Sequence, residues 1–334
     1  LDERAVSFAN AKITLDGNAA TGTLALMYSA ERPSIDGTLA FAAFDIAPYV
    51  TPARPTAMAR AAGWLSSFGI PGLADSSLVN EMDADLRISA ASVTNKSAKL
   101  GRAAASLTVK SGKLYGEIVE LALDQGGGGE AQFTADMTTS DPRYTIRADL
   151  SDIDFATLPR LTAGPPVLEG IGGLKLELAA EGASETELIR SIAGTMSVEM
   201  REAGRLGIDV DALPSAAAGT PAEGWGTAGS GTTTVTGLSA HFKALGGVFA
   251  AEGVEARIGS RVARLIGSAD LDSAAVDFVL SLDEMPGAEK SGKPVGAFRI
   301  QGPWAAPTIR PAEPGRAAQG MTTKGLATAG RDPG

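Results

Sequence analysis

The sequence predicts a mainly β protein: a long, curled, many-stranded antiparallel sheet, groove-like or taco-shaped, with two or three short helices. Three observations carry that expectation. Apolar residues recur at every second position through most of the chain, which sets them on one face of a pleated strand. Turn signals follow one another every ~8–15 residues, the spacing of strands joined by hairpins. Glycine supplies 41 of the 334 residues, well above an average share of about 7%.

Taken in order, Leu24, Leu26 and Tyr28 give way at Pro33 to Ile35, Leu39 and Phe41. Leu86, Ile88 and Ala90 follow, then Leu107 with Val109, and Leu114 with Ile118. Ala131, Phe133, Ala135 and Met137 are answered beyond Ser140-Asp141-Pro142 by Tyr144, Ile146, Ala148 and Leu150, which reads as a hairpin. The pattern resumes with Leu174, Leu176, Leu178 and Ala180, then with Met196, Val198 and Met200, and with Leu238, Ala240 and Phe242. Val276, Phe278, Leu280 and Leu282 come next, with Phe298 and Ile300 last. About 16 strands exceed the ~10 that a simple open sheet carries, so the sheet must curl, split into layers or extend as an array.

Helical signals are few. Met58, Ala61, Ala62, Leu65 and Phe68 form one stripe between Pro55 and Pro71, predicting a helical insertion near 55–70. Ser184 and Glu187 have the spacing of a capping box, and a short helix through Ile192 should follow, stopped by Gly194. Phe155 and Leu158 suit a short turn before Pro159. The run 214–234 is rich in Gly, Ala, Thr and Pro with only Trp225 as an anchor, and reads as a flexible loop. Residues 1–311 make up the β-rich region, and 312–334 read as a disordered tail.

Composition excludes several kinds of chemistry. With 29 basic against 39 acidic residues the net charge is −10, and no concentrated cationic face exists to neutralise nucleic-acid phosphates. There is no cysteine and a single histidine. That residue, His241, alternates out of phase with Leu238, Ala240 and Phe242, which puts it on a polar face with no second imidazole to join it. Glu81, Asp83 and Asp85 lack the spacing of a calcium loop. The run Gly126 to Gly129 precedes a strand, so it reads as a hairpin connection and not a phosphate cradle. No catalytic residue, metal ligand or cofactor is assigned, and the chain reads as a non-enzyme. No run approaches the ~18 apolar residues that span a bilayer.

What remains is the alternation. Helices and aromatics are too scarce to cover so much apolar sheet, and a curled sheet would then leave a groove. Its candidate lining is Leu24, Leu26, Leu39, Phe41, Leu86, Ile88, Leu107, Val109, Phe133, Ile146, Leu174, Leu176 and Leu178. A 16-carbon acyl chain buried there would gain on the order of 10 kcal/mol before entropy and desolvation costs, at ~0.8 kcal/mol per methylene. The same pattern equally suits a sandwich whose core is closed, in which case the chain is a scaffold that binds partner proteins through strand edges or the Trp64 helix.

Several segments resemble the C-terminal region of the AsmA family of bacterial envelope proteins. They are Leu15-Asp16-Gly17, Arg32-Pro33 through Gly37-Thr38-Leu39, Phe44-Asp45-Ile46-Ala47-Pro48-Tyr49 and Asp83-Ala84-Asp85-Leu86 with Ile88 and Ala90. Leu188 to Thr195, Gly207-Ile208-Asp209-Val210, Gly267 to Leu271, and Ile300-Gln301-Gly302-Pro303-Trp304 with Pro307-Thr308-Ile309-Arg310-Pro311 continue the series. The resemblance covers roughly residues 1 to 311. It implies a periplasmic β-rich region tethered to the inner membrane by a helix that lies outside this chain. It also implies a hydrophobic β-groove that passes phospholipid or another acyl-chain lipid in support of outer-membrane biogenesis.

Overall fold

The computed structural model describes residues 4–28, 32–45, 76–95, 98–123, 126–157, 168–218, 224–287 and 295–312. The helix expected near 55–70 and the tail from 313 on lie outside the described residues. Within them the chain forms strands and three short helices, and seventeen strands belong to one mixed sheet. The polypeptide divides into two compact units. The first comprises Leu1–Leu161, Gly172–Ser197 and Ala244–Gly247, and the second Thr162–Ile171, Val198–Lys243 and Val248–Gly334.

The first unit is built on β1 (Arg4–Leu15), β2 (Asn18–Tyr28), β3 (Ser34–Phe41), β4 (Phe44–Asp45), β5 (Asp83–Asn95), β6 (Ala98–Lys110), β7 (Lys113–Leu123), β8 (Gly128–Asp136) and β9 (Arg143–Asp154). Neighbours pair antiparallel with one exception: β3 and β4 run parallel to β5. This departs from the purely antiparallel sheet expected. The chain between Phe41 and Asp83 is long enough for the crossover that parallel strands require. Asp83 locks the junction at the foot of β5. Its N–H donates to the Pro33 carbonyl at 2.9 Å, its carboxylate pairs with Arg32 at 2.7 Å, and the same oxygen accepts the Ser111 N–H at 2.9 Å. A second hydrogen bond from Arg32 reaches the Val79 carbonyl on α1 (Ser76–Glu81).

The β8–β9 hairpin forms as the alternation predicts, with Phe133 opposite Ile146, and Gly126–Gly127 make the β7–β8 turn. After the short β10 (Leu168–Glu169), β11 (Ile171–Glu181) joins β9. On their polar faces Arg143, Arg147 and Asp149 meet Glu181, Glu177 and Lys175, a sequence of pairs that requires antiparallel strands. Beyond β11, α2 (Glu185–Ser191) starts at the expected capping box: Ser184 accepts the Glu187 N–H, and the Glu187 carboxylate accepts the Ser184 N–H. Where Lys113 and two groups of Thr138 hydrogen-bond Asp136, its carboxyl is held well below the ordinary carboxylate range.

The chain continues through β12 (Ala193–Met200), β13 (Gly204–Leu206), β14 (Thr233–Val235) and β15 (Gly237–Leu245), and in the second unit β16 (Val248–Ile258), β17 (Arg261–Asp270), β18 (Ala275–Glu284), β19 (Gly296–Pro303) and β20 (Thr308–Ala312) form an antiparallel meander. Its apolar face carries Ile258, Val276, Phe278, Leu280, Leu282, Phe298, Ile300 and Ile309, all buried. The cover comes from the segment expected to be a flexible loop. The run 214–234 contains most of α3 (Leu213–Ala218), a 3-10 helix (Gly226–Ser230) and a short strand ending at Val235. Although the run is poor in large side chains, Trp225 within it and Leu213 and Val235 just beyond its ends all pack into the core. Trp225 also donates its indole N–H to the Trp304 carbonyl at 2.8 Å, with the two rings edge to face at 4.9 Å. Arg261, 1% exposed, pairs with Asp211 at 2.6 Å beside this cover.

The two kinds of ion pair should differ in what their loss costs. Asp211→Ala removes the carboxylate next to a buried guanidinium and is expected to destabilise by ~3 kcal/mol. Arg147→Ala breaks an exposed pair and should cost under ~1 kcal/mol. Urea unfolding of the two variants measures the difference, and equal losses would mean that Arg261 carries no buried charge in solution.

Candidate functional site

Strand register, traced partner by partner, aligns the apolar residues of the first unit into rows that cross the strands. One row runs Phe8, Leu24, Gly37, Leu86, Leu107, Gly116, Phe133 and Ile146, from β1 to β9. The next runs Ala11, Gly22, Leu39, Ile88, Ala105, Ile118, Ala131 and Ala148. Flanking these on one side are Val6, Leu26, Ile35, Ala84, Val109, Leu114, Ala135 and Tyr144, and on the other Ile13, Ala20, Phe41, Ala90, Ala103, Leu121, Gly129 and Leu150. Every residue of the four rows except Tyr144 is a hydrocarbon side chain or glycine. The opposite face is polar, with Thr23 bonded to Thr38 at 3.0 Å and Gln132 to Glu117 at 3.2 Å.

Burial is uneven along the strands. At one margin Val79 of α1 packs with Val109, Leu114, Ala135 and Met137. At the other, Ala20, Leu39, Phe41, Ala90 and Val93 form a second buried cluster, closed by Phe44 of β4 at 4.8 Å from Phe41. Asn18 ties β4 down through both its amide groups, donating to the Asp45 carbonyl and accepting the Asp45 N–H. Between the margins the side chains are only half-buried: Leu24, Leu26, Leu86, Ile88, Leu107, Ile118 and Phe133. This open band crosses β2, β3, β5, β6, β7 and β8, a distance of ~24 Å at ~4.8 Å per strand. Register breaks in β6–β7 and β7–β8 occur between the second row and the Ala90 margin, and those in β5–β6 just beyond Ala90, and such bulges bend the strands that carry them.

All thirteen residues read from the sequence as a groove lining belong to this unit. Ten of them, from Leu24 to Ile146, fall in the four rows, and Leu174, Leu176 and Leu178 are buried positions of β11, next to β9. Leu24, Leu26, Leu86, Ile88, Leu107 and Phe133 are in the open band. Leu39, Phe41, Val109, Ile146, Leu174, Leu176 and Leu178 are buried, so they are packing residues of the margins and of the β9–β11 end. The sequence reading missed β1. Its alternation changes phase between Phe8 and Ala11, where the register breaks and Asn10 takes a left-handed φ of 57°, so neither Val6 and Phe8 nor Ala11 and Ile13 make a full strand signal. Val6 and Phe8 are 44% and 48% exposed.

Other groups noted in the sequence are occupied elsewhere. His241 is exposed. Asp83 closes the β3–β5 junction. Tyr144 stacks near Phe133 at 6.4 Å, and burial pushes its phenol above the ordinary range. Among the described residues no cluster of His, Cys, Asp or Glu has the arrangement of a metal site, and no helix is long and apolar enough to cross a membrane. What the band offers chemically is contact with hydrocarbon.

Compared with known families, residues 74–251, more than half of the chain, match the AsmA family model. No curated protein matches the chain. No solved structure matches it either.

Leucine truncation distinguishes band from core. Leu280→Ala, in the covered face of the second unit, should cost ~3 kcal/mol, whereas Leu86→Ala in the band should cost about 1 kcal/mol. Urea midpoints of the two single variants provide the comparison, and equal losses would mean that Leu86 is packed as core.

Proposed function

Because the chain belongs to the AsmA family, we propose that it is a non-enzymatic envelope protein whose open apolar band holds the acyl chains of phospholipid or a similar lipid. In this reading it acts in the periplasm, tethered to the inner membrane through a segment outside this chain, and supports outer-membrane biogenesis. The observation that carries the proposal is the half-buried band between two closed margins. Its side chains give an occupant no hydrogen-bond partner apart from the Tyr144 hydroxyl at its edge. An extended peptide laid across it would bury backbone N–H and C=O groups without partners, at several kcal/mol for each lost pair. Hydrocarbon incurs no such cost and gains ~0.8 kcal/mol per buried methylene.

One feature favours a second reading, attachment of a partner protein by strand addition. β1, paired with β2, leaves Val6 and Phe8 exposed, and exposed apolar side chains on a strand are the form of a docking strand.

Native mass spectrometry of the gently extracted chain should show co-purified phospholipid. Leu86→Asp, which puts a charge in the band without opening either margin, should lower lipid occupancy at least tenfold with only a small fall in Tm. Ile146→Asp, at a buried position, should lower stability first. A lipid-free wild-type chain, with Val6→Asp abolishing capture of a specific envelope protein, would replace the lipid reading with the second one.

A further inference from the structure

Resting on the lipid reading, we infer that the band recognises hydrocarbon and does not discriminate between headgroups: lipids of different headgroup charge and size are equivalent ligands when their chains match. Discrimination between headgroups needs donors, acceptors or charges placed against them, and fork-shaped arginine is the usual device for phosphate. In the band, alkyl groups follow one another from β2 to β8, and the one polar side chain of the rows, Tyr144, is a neutral phenol at the margin.

Two cations next to the Tyr144 margin, Arg32 and Lys113, are already committed. Arg32 is bound to Asp83 at 2.7 Å and to the Val79 carbonyl at 3.1 Å. Lys113 is bound to Asp136 at 2.8 Å, with its ammonium on the polar face of the sheet. For either to take a lipid phosphate, it would have to give up a carboxylate that it already holds. A headgroup that reaches Arg32 or Lys113 therefore meets balanced charge and not a free cation.

Size makes the same point. A single leaflet's chains span about half of the ~30 Å hydrocarbon core of a bilayer, so one acyl chain fits within the ~24 Å band, and the headgroup is left at its end or in solvent. Affinity should then scale with methylene count. At ~0.8 kcal/mol per buried methylene, chains shorter by four carbons should bind about two orders of magnitude more weakly.

The test is competition against a fluorescently tailed phosphatidylcholine on the full chain. The competitors are phosphatidylethanolamine, phosphatidylglycerol and diacylglycerol with matched 16-carbon chains, plus a 12-carbon phosphatidylethanolamine, each at 0.05 and 0.5 M NaCl. Midpoints within about threefold across the three headgroups, no weakening in high salt and a large loss for the 12-carbon lipid are the expected results. A preference of tenfold or more for one headgroup, or binding that weakens steeply with salt, would overturn headgroup indifference while leaving the band a lipid site. If the fluorescent lipid does not bind, the lipid reading itself fails.

Discussion

Register is the constraint on which the first unit depends. With a side-chain period of two, a slip of one residue between any two strands would turn an entire apolar set out to the polar face. The rows from Val6 to Tyr144 and from Phe8 to Ile146 exist because each strand pair keeps its neighbours in step, even across bulges in β5–β6, β6–β7 and β7–β8. The polar face reinforces this setting. Arg143, Arg147 and Asp149 find opposite charges on β11 only in one register, and a shifted ladder would bring unlike residues together. Each exposed pair contributes little to stability. Their joint effect is to favour one alignment over its neighbours.

The two units solve the problem of an apolar sheet face differently. In the second, the segment from Val210 to Ala228 lays Leu213 and Trp225 on the face, and hydrogen bonds hold it there: Thr233 accepts the Val210 N–H and donates to the Ile208 carbonyl. In the first, among the described residues, cover reaches the margins, through Val79 of α1 and Phe44 of β4. Since the strands of both units alternate alike, it is the extra segment, and not strand sequence, that separates a closed face from an open one.

That difference also marks where sequence reading succeeds and where it fails. The strands with unbroken alternation, such as Phe133 to Met137 and Val276 to Leu282, are legible because pleating alone dictates which side chains share a face. The capping box at Ser184 is legible because both partners lie three residues apart. β1 is not, since a bulge reverses its phase at Asn10. The cover over the second unit is not either: Leu213 and Trp225 become core only through contacts with strands far along the chain, and a local window of Gly, Ala and Thr carries no sign of them. For the same reason the sequence could group thirteen residues onto one kind of face but could not divide them into open band and closed margin.

The division into margin and middle is what allows a sheet with an open face to persist. Half-exposed leucines contribute less to folding than buried ones, because part of their surface stays in water in the folded state. The stability that the middle does not supply has to come from the ladder of backbone hydrogen bonds and from the two margin clusters. Glycines fit this arrangement. At Gly37 a Cβ would stand 2.6 Å from a Leu24 methyl, and at Gly22 it would run into the Thr38 carbonyl, so neither position accepts a side chain without displacing the row around it. Side chains there would fill the middle of the face from within the protein. With glycine in place, the neighbouring leucines lie low over the backbone, and the side chains between the margins stay half-buried.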